Sequence, residues 1–228
     1  MDDRLLTLLL VVGALGTGIA LYAVRGKGLG RRLPSPPQWA RQHGWEFRPA
    51  DPSLLRQIRL LPMGDRGAPR TEDVLVGSWN GVPAVTFRYE WATLGRAPAV
   101  HQEHVTALAL PAPLPWLTLA PAGRPSPADW FMVGQTVELE SGRFNERWRV
   151  HGPEGRAPHD FLHPRMMARL LEPDAAETTI LVDGAHLVAM RHGFLAVDQI
   201  EPTLALLADL AALVPDFVWQ DARGRGRS

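Results

Sequence analysis

Residues 74–89 read VLVGSWNGVPAVTFRY. Two runs rich in valine and aromatics, 74–79 and 82–89, flank the dipeptide Asn80-Gly81. A tight type I′ turn needs positive φ at both central positions, and asparagine and glycine accept it at the least steric cost. This stretch therefore predicts an antiparallel β-hairpin.

Beyond the hairpin, HVTALAL (104–110) and WLTLA (116–120) predict two further strands, with the proline-rich residues between them as a loop. TVELE (136–140) alternates with Val137 and Leu139 apolar, and RWRV (147–150) places Trp148 and Val150 on one face. The run ELESGRFNERWRVHG (138–152) is thus expected to be strand, turn at Ser141-Gly142, and strand. Within it, Phe144 is expected to fill the core, and Asn145 to bind backbone where the chain re-enters the sheet. TILV (179–182) and HLVAM (186–190) around Asp183-Gly184 predict a second hairpin, and WEF (45–47) an edge strand.

Helices are signalled at Pro37–His43 before Gly44, at DPSLLRQI with Asp51 as N-cap and Pro52 following, and at PRMMARLL (164–171). PTLALLADLAALV (202–214) reads as a long amphipathic helix stopped by Pro215. Hairpin-paired strands with helices near the ends predict an α+β fold on an antiparallel sheet. The tail DARGRGRS (221–228) is expected to be disordered.

Leu5 to Val24 is a run of twenty residues without a charge. A helix of that length rises about 30 Å, enough to cross a bilayer's hydrocarbon core. Asp2 and Asp3 precede it, unlike the basic start of a signal peptide. Arg25, Lys27, Arg31 and Arg32 follow it, so the positive-inside rule places the C-terminal part in the cytoplasm. Gly13 with Thr17 and Ala14 with Gly18 give small residues one turn apart, a spacing that permits homodimerisation through the span. The expected organisation is a transmembrane anchor over 1–25, a basic Gly/Pro linker over 26–37, a folded α+β domain over 38–220 and the tail.

The formal net charge is zero, which gives no electrostatic case for nucleic acid as a partner. The absence of cysteine excludes disulfides, thiolate ligands and a cysteine nucleophile. No phosphate-cradling glycine loop is present, and Gly77-Ser78-Trp79-Asn80-Gly81 has the wrong spacing for a nucleophile elbow. His159-Asp160-Phe161-Leu162-His163 is the strongest metal pattern: histidines at i and i+4 share a helix face, although Asp160 stands where zincins carry Glu, and Pro164 follows directly. His101 and His104 point to opposite faces of a strand and read as edge residues. The eight tryptophans suit core packing better than a ligand groove. No cofactor is expected.

The segments WARQHGWEFRPAD, VLVGSWNGVPAVTFRYEW, VELESGRFNERWRV, HDFLHPRMMARLLE and PDFVW, in that order, resemble uncharacterised single-pass membrane proteins of actinobacteria grouped as a domain of unknown function. The resemblance spans roughly residues 36–220, and Phe144-Asn145 with Trp148 are among its most specific pieces. It implies a membrane anchor with a soluble domain and carries no catalytic residue. The expected function is a membrane-tethered, non-enzymatic interaction domain that binds a protein partner or a lipid headgroup. The alternatives are a membrane-bound metal-dependent hydrolase using His159, Asp160 and His163, and an accessory protein facing the envelope.

Overall fold

The computed structural model describes residues 33–64, 67–94, 99–124 and 135–225. The apolar span, and Arg25, Lys27, Arg31 and Arg32 after it, lie outside the described residues. The folded unit starts at Pro34.

Helix α1 (Pro36–His43) opens with Ser35, whose backbone N–H donates to Gln38 Oε1 at 2.9 Å. It ends at Gly44, which takes the left-handed conformation at φ 70° that glycine adopts without a Cβ clash. Strand β1 (Glu46–Ala50) comes next, then the single-turn helix α2 (Leu54–Gln57). Strands β2 (Arg70–Trp79) and β3 (Val82–Thr93) form the expected hairpin, with Trp79 opposite Val82. Asn80 and Gly81 have φ of 50° and 80°, as the turn chemistry requires.

The next strand corrects the sequence reading. HVTALAL and WLTLA are one strand, β4 (Ala99–Pro121), 23 residues long. The residues expected to break it, Pro111, Pro113 and Pro115, sit where no ladder bond is lost. One edge of β4 pairs with β3 only as far as Leu108 and with β6 only from Thr118, so the prolines lie in the gap between two neighbours.

After β5 (Gln135–Thr136) comes a second correction. Residues 137–140 continue no strand, and Gly142–Asn145 is a helical turn, α3, before strand β6 (Trp148–Gly152). Ser141 caps that turn, its hydroxyl accepting from the Phe144 N–H at 3.3 Å. Helices α4 (Ala157–Phe161) and α5 (Pro164–Leu170) lead to β7.

The second hairpin does not form. Thr179–His192 is a single strand, β7, antiparallel to β4 from Ile180 opposite Leu119 to His192 opposite Glu103. The ladder is bulged opposite Asp183-Gly184, where β4 takes five steps from Ala109 to Leu114 against two from His186 to Gly184 on β7, and Gly184 has φ 57°. The parity of burial records the bulge: Ile180 and Val182 enter the same core cluster as Leu187 and Ala189, an odd step that an unbroken period of two forbids. Strand β4 shows the same odd step between Leu114 and Leu117, so the two strands bend together.

A 3₁₀ turn (Val197–Gln199) feeds α6 (Ile200–Leu213), and α7 (Asp216–Arg225) ends the described chain. The tail expected to be disordered from residue 221 thus continues a helix to Arg225. Trp219 and Ala222, one turn apart, are both buried and carry the helix past the point where composition alone would end it.

The sheet runs β1-β2-β3-β4-β6-β5, with β7 along the other edge of β4. The fold is α+β on an antiparallel sheet. One face buries Leu75, Leu108, Leu187 and Ala189 in a cluster shared with Leu204 and Leu207 of α6 and with Trp219 of α7. The other face buries Phe87, Tyr89, Val105 and Val188 under Leu54, Ile58 and Leu61. The Tyr89 hydroxyl donates to the Pro62 carbonyl, and Asp183 Oδ2 accepts from the Leu60 N–H at 2.8 Å, so two bonds fasten that covering segment. Among the described residues no single helix is long and apolar enough to cross a membrane. The pair α6 and α7 meets that composition only across an 81° bend, and its leucines belong to the core.

Candidate functional site

The HDFLH segment does not keep the geometry a metal pair needs. Helix α4 stops at Phe161, and His163 is the N-cap of α5, so the two histidines are not on one helical face. His163 Nε2 is bonded to the Leu213 carbonyl at 2.9 Å, and Asp160 is paired with Arg156 at 2.7 Å. His163 thus ties two helices together, and Asp160 is held within its own helix. Among the described residues no three of His, Cys, Asp and Glu stand close enough to hold a metal ion.

Phe144 is fully buried and stacks on Trp148 with centroids 6.2 Å apart. The Asn145 carboxamide bonds both backbone groups of Leu139, Nδ2 donating to its carbonyl at 2.7 Å and Oδ1 accepting from its N–H at 3.2 Å. That pairing substitutes for a strand partner where residues 138–140 leave the sheet, after Val137 has donated to the Val150 carbonyl at 2.9 Å.

The notable polar group lies elsewhere. His104, expected at an edge, is buried at the centre of the sheet because β4 is paired on both sides there, Arg88 lying opposite on β3 and Arg191 on β7. Its Nε2 is 2.7 Å from Thr86 Oγ1, which is 2.9 Å from Thr106 Oγ1 and donates to the Val105 carbonyl at 3.0 Å. A threonine hydroxyl has one proton. Three neighbours compete for it, the His104 imidazole, the Thr106 hydroxyl and the Val105 carbonyl, so the His104 tautomer is set by the direction in which Thr86 donates. Burial, with Arg191 adding to it, lowers the imidazole pKa to about 4, so His104 is neutral at pH 7.

On this face the apolar core gives way to Thr86, His104, Thr106 and Arg191, and a cleft of about 320 Å³ opens against the connection from β7 to the 3₁₀ turn. Its wall includes His104, Arg124, Glu177, Arg191, Phe194 and Gln199. Arg191 donates from Nη2 to the Asp174 carbonyl at 2.7 Å and from Nη1 to Gln199 Oε1 at 3.3 Å. Both acceptors are uncharged. Desolvation pulls the guanidinium pKa down. At the rim, Arg124 Nη1 donates to the Glu177 carbonyl at 3.1 Å, and Glu103 faces His192 at 3.4 Å. Burial raises the Glu103 pKa, and His192 opposes that rise. A cleft with these groups offers hydrogen-bond donors and two guanidinium groups.

Sequence reasoning did not reach this cleft. HQEH was visible as a pair of histidines, but its partners are distant in the chain: Thr86 by 18 residues and Arg191 by 87, joined only by strand pairing.

No protein-family model matches the sequence, and no curated protein does. Among solved structures, the crystal structure of the mycobacterial trehalose monomycolate transport factor A is similar, with a TM-score of 0.54 at 16% identity over 79% of this chain and 94% of that one. At that identity the likeness is one of fold.

Proposed function

We propose that this protein is a membrane-tethered, non-enzymatic accessory domain. The observation that carries the proposal is the uncharged run Leu5–Val24 with Arg25, Lys27, Arg31 and Arg32 behind it. Residues 1–25 act as anchor, 26–37 as a basic linker against anionic headgroups, and the domain from residue 38 onward faces the cytoplasm. Small residues along the span give it a surface for self-association. The sheet supports an interaction role: at its curled end Arg191, Arg124 and Gln199 turn hydrogen-bond donors towards a cleft. The fold shared with a transport factor suggests the same class of role, an accessory to transport at the membrane, by analogy of fold alone.

The test is topology and extraction in cells expressing the full chain with a C-terminal reporter. The protein should sediment with membranes, resist high salt and carbonate, dissolve in detergent, and give a cytoplasmic reporter signal. Release by salt alone would remove the anchor, and an external signal would reverse the orientation.

A further inference from the structure

We infer that the cleft between the ends of β4 and β7 is a binding site for an oxyanion, a phosphate or carboxylate group carried by a small molecule or by a lipid headgroup, seated on Arg191 with Arg124 at the rim. The inference does not depend on the proposed membrane role.

It starts from an unbalanced charge. Arg48, Arg88, Arg156 and Arg169 each have a carboxylate within ion-pairing distance. Among the described residues, half-buried Arg191 bonds only a backbone carbonyl and a side-chain amide. A guanidinium has five N–H donors, and these contacts use two of them. Removing such a charge from water is costly unless an anion or a full set of acceptors offsets it, and the planar fork suits phosphate and carboxylate oxygens.

The nearby acids do not fill that role. Glu103 is turned to His192 at 3.4 Å. Asp174 gives Arg191 its backbone carbonyl while its carboxylate is held by Arg169 at 2.8 Å. Glu177 lies at the rim, 82% exposed, and approaches Arg124 only to 3.9 Å. Asp174 and Glu177 thus partly offset the Arg191 charge through space, and among the described residues no carboxylate occupies its remaining donors.

The rest of the wall suits a ligand with more than a bare anion. His104, held at Nε2 by Thr86, lines the cleft and keeps Nδ1 as its second polar atom. Phe194, 54% exposed for a large apolar side chain, stands at the mouth and can cover a carbon skeleton. A volume of about 320 Å³ matches the lower end of small-molecule sites.

The test uses the full chain in phosphatidylcholine nanodiscs, with inorganic phosphate and malonate as probes, read by titration calorimetry and thermal unfolding against sodium chloride at equal ionic strength. At least one probe should bind saturably and raise the melting temperature. Arg191→Gln should weaken that binding tenfold or more, Arg124→Gln several-fold, and Arg191→Lys should retain part of it. Adding phosphatidic acid to the discs identifies the source. Competition with free phosphate, lost in Arg191→Gln, marks a headgroup, and its absence marks a soluble oxyanion. Non-saturable behaviour of both probes, or equal binding by Arg191→Gln, overturns the site. If Arg191→Gln does not fold, unchanged affinity in Arg124→Gln overturns it instead.

Discussion

Arg191, near the end of strand β7, donates to the carbonyl of Asp174, a residue that precedes the start of the same strand. Straight β-structure from Thr179 to Arg191 would span about 40 Å. The five steps from Asp174 to Thr179 reach at most about 18 Å even fully extended. An arginine side chain cannot close that difference, so β7 must curl back, and the bulge at Asp183-Gly184 is where it does so. The curl brings the two ends of β7 together and, with β4 bending alongside, forms the Arg191 cleft.

The clamp on this closure is Arg169, whose guanidinium holds both carboxylate oxygens of Asp174 at 2.8 Å and Asp209 of α6 at 3.1 Å. Arg169→Ala should lower stability by about 1 kcal/mol or less, because the acids are half-exposed. The Arg169 hydrogen bond holds the Asp174 pKa below its usual value. A group with a depressed acid pKa stabilises the fold above the ordinary carboxylate value of 3.8, and that contribution disappears as the pH falls through the folded pKa. Urea titrations at pH 7 and pH 3 should therefore show a larger wild-type to Arg169→Ala difference at pH 7.

His104 makes the fold sensitive over a higher range. Its pKa is about 4 in the folded protein against 6.5 for the free group. Between those values the unfolded chain binds more protons, so stability falls as the pH drops from 6.5 towards 4. At about 1.4 kcal/mol per pH unit the loss is on the order of 3 kcal/mol. Glu103, raised by burial, opposes the trend over the lower part of that range. His104→Gln should flatten the slope of unfolding free energy with pH, and an unchanged slope would contradict this assignment.

Asn145→Ala leaves the Leu139 N–H and carbonyl without their partner, and Leu139 is buried. Two unsatisfied backbone groups should cost about 1–3 kcal/mol, read as a lower urea midpoint. Asn145→Asp keeps the acceptor and loses the donor, so it should recover part of that loss.

Gly77 lies beneath the Trp45 indole: a Cβ there would stand 2.4 Å from the ring. Gly77→Ala should displace Trp45, destabilise the protein by about 1–3 kcal/mol and shift its tryptophan emission. Emission and stability equal to wild type would show that the β1 end of the sheet yields freely.

His163→Ala removes the bond to the Leu213 carbonyl that ties α5 to the end of α6 and should cost about 1 kcal/mol. His159 is exposed, so His159→Ala should leave stability within about 0.5 kcal/mol of wild type. A metal-binding pair would instead make the two variants alike, with zinc raising the wild-type melting temperature.

Local elements whose signals are contained within a few residues were legible in the chain alone. Asn80-Gly81 specified a hairpin because the turn needs positive φ at both positions, and Gly44 ended α1 for the same conformational reason. Valine- and aromatic-rich runs marked β2 and β3, alternation marked β6, and the leucines of 204–210 marked α6. Asp183-Gly184 carries nearly the same turn signal as Asn80-Gly81 and has the opposite outcome. A dipeptide that accepts positive φ serves equally for a reversal and for a bulge, and only the presence of β4 alongside both flanking segments selects the bulge. The prolines of 111–115 likewise read as a break until the sheet shows that none of them has a ladder partner, one edge of β4 being open there and the pairing with β7 slipping past them. The cleft belongs wholly to this second level: Thr86, His104 and Arg191 carry no joint signal along the chain, and strand register with the curl of β7 is what places them on one wall.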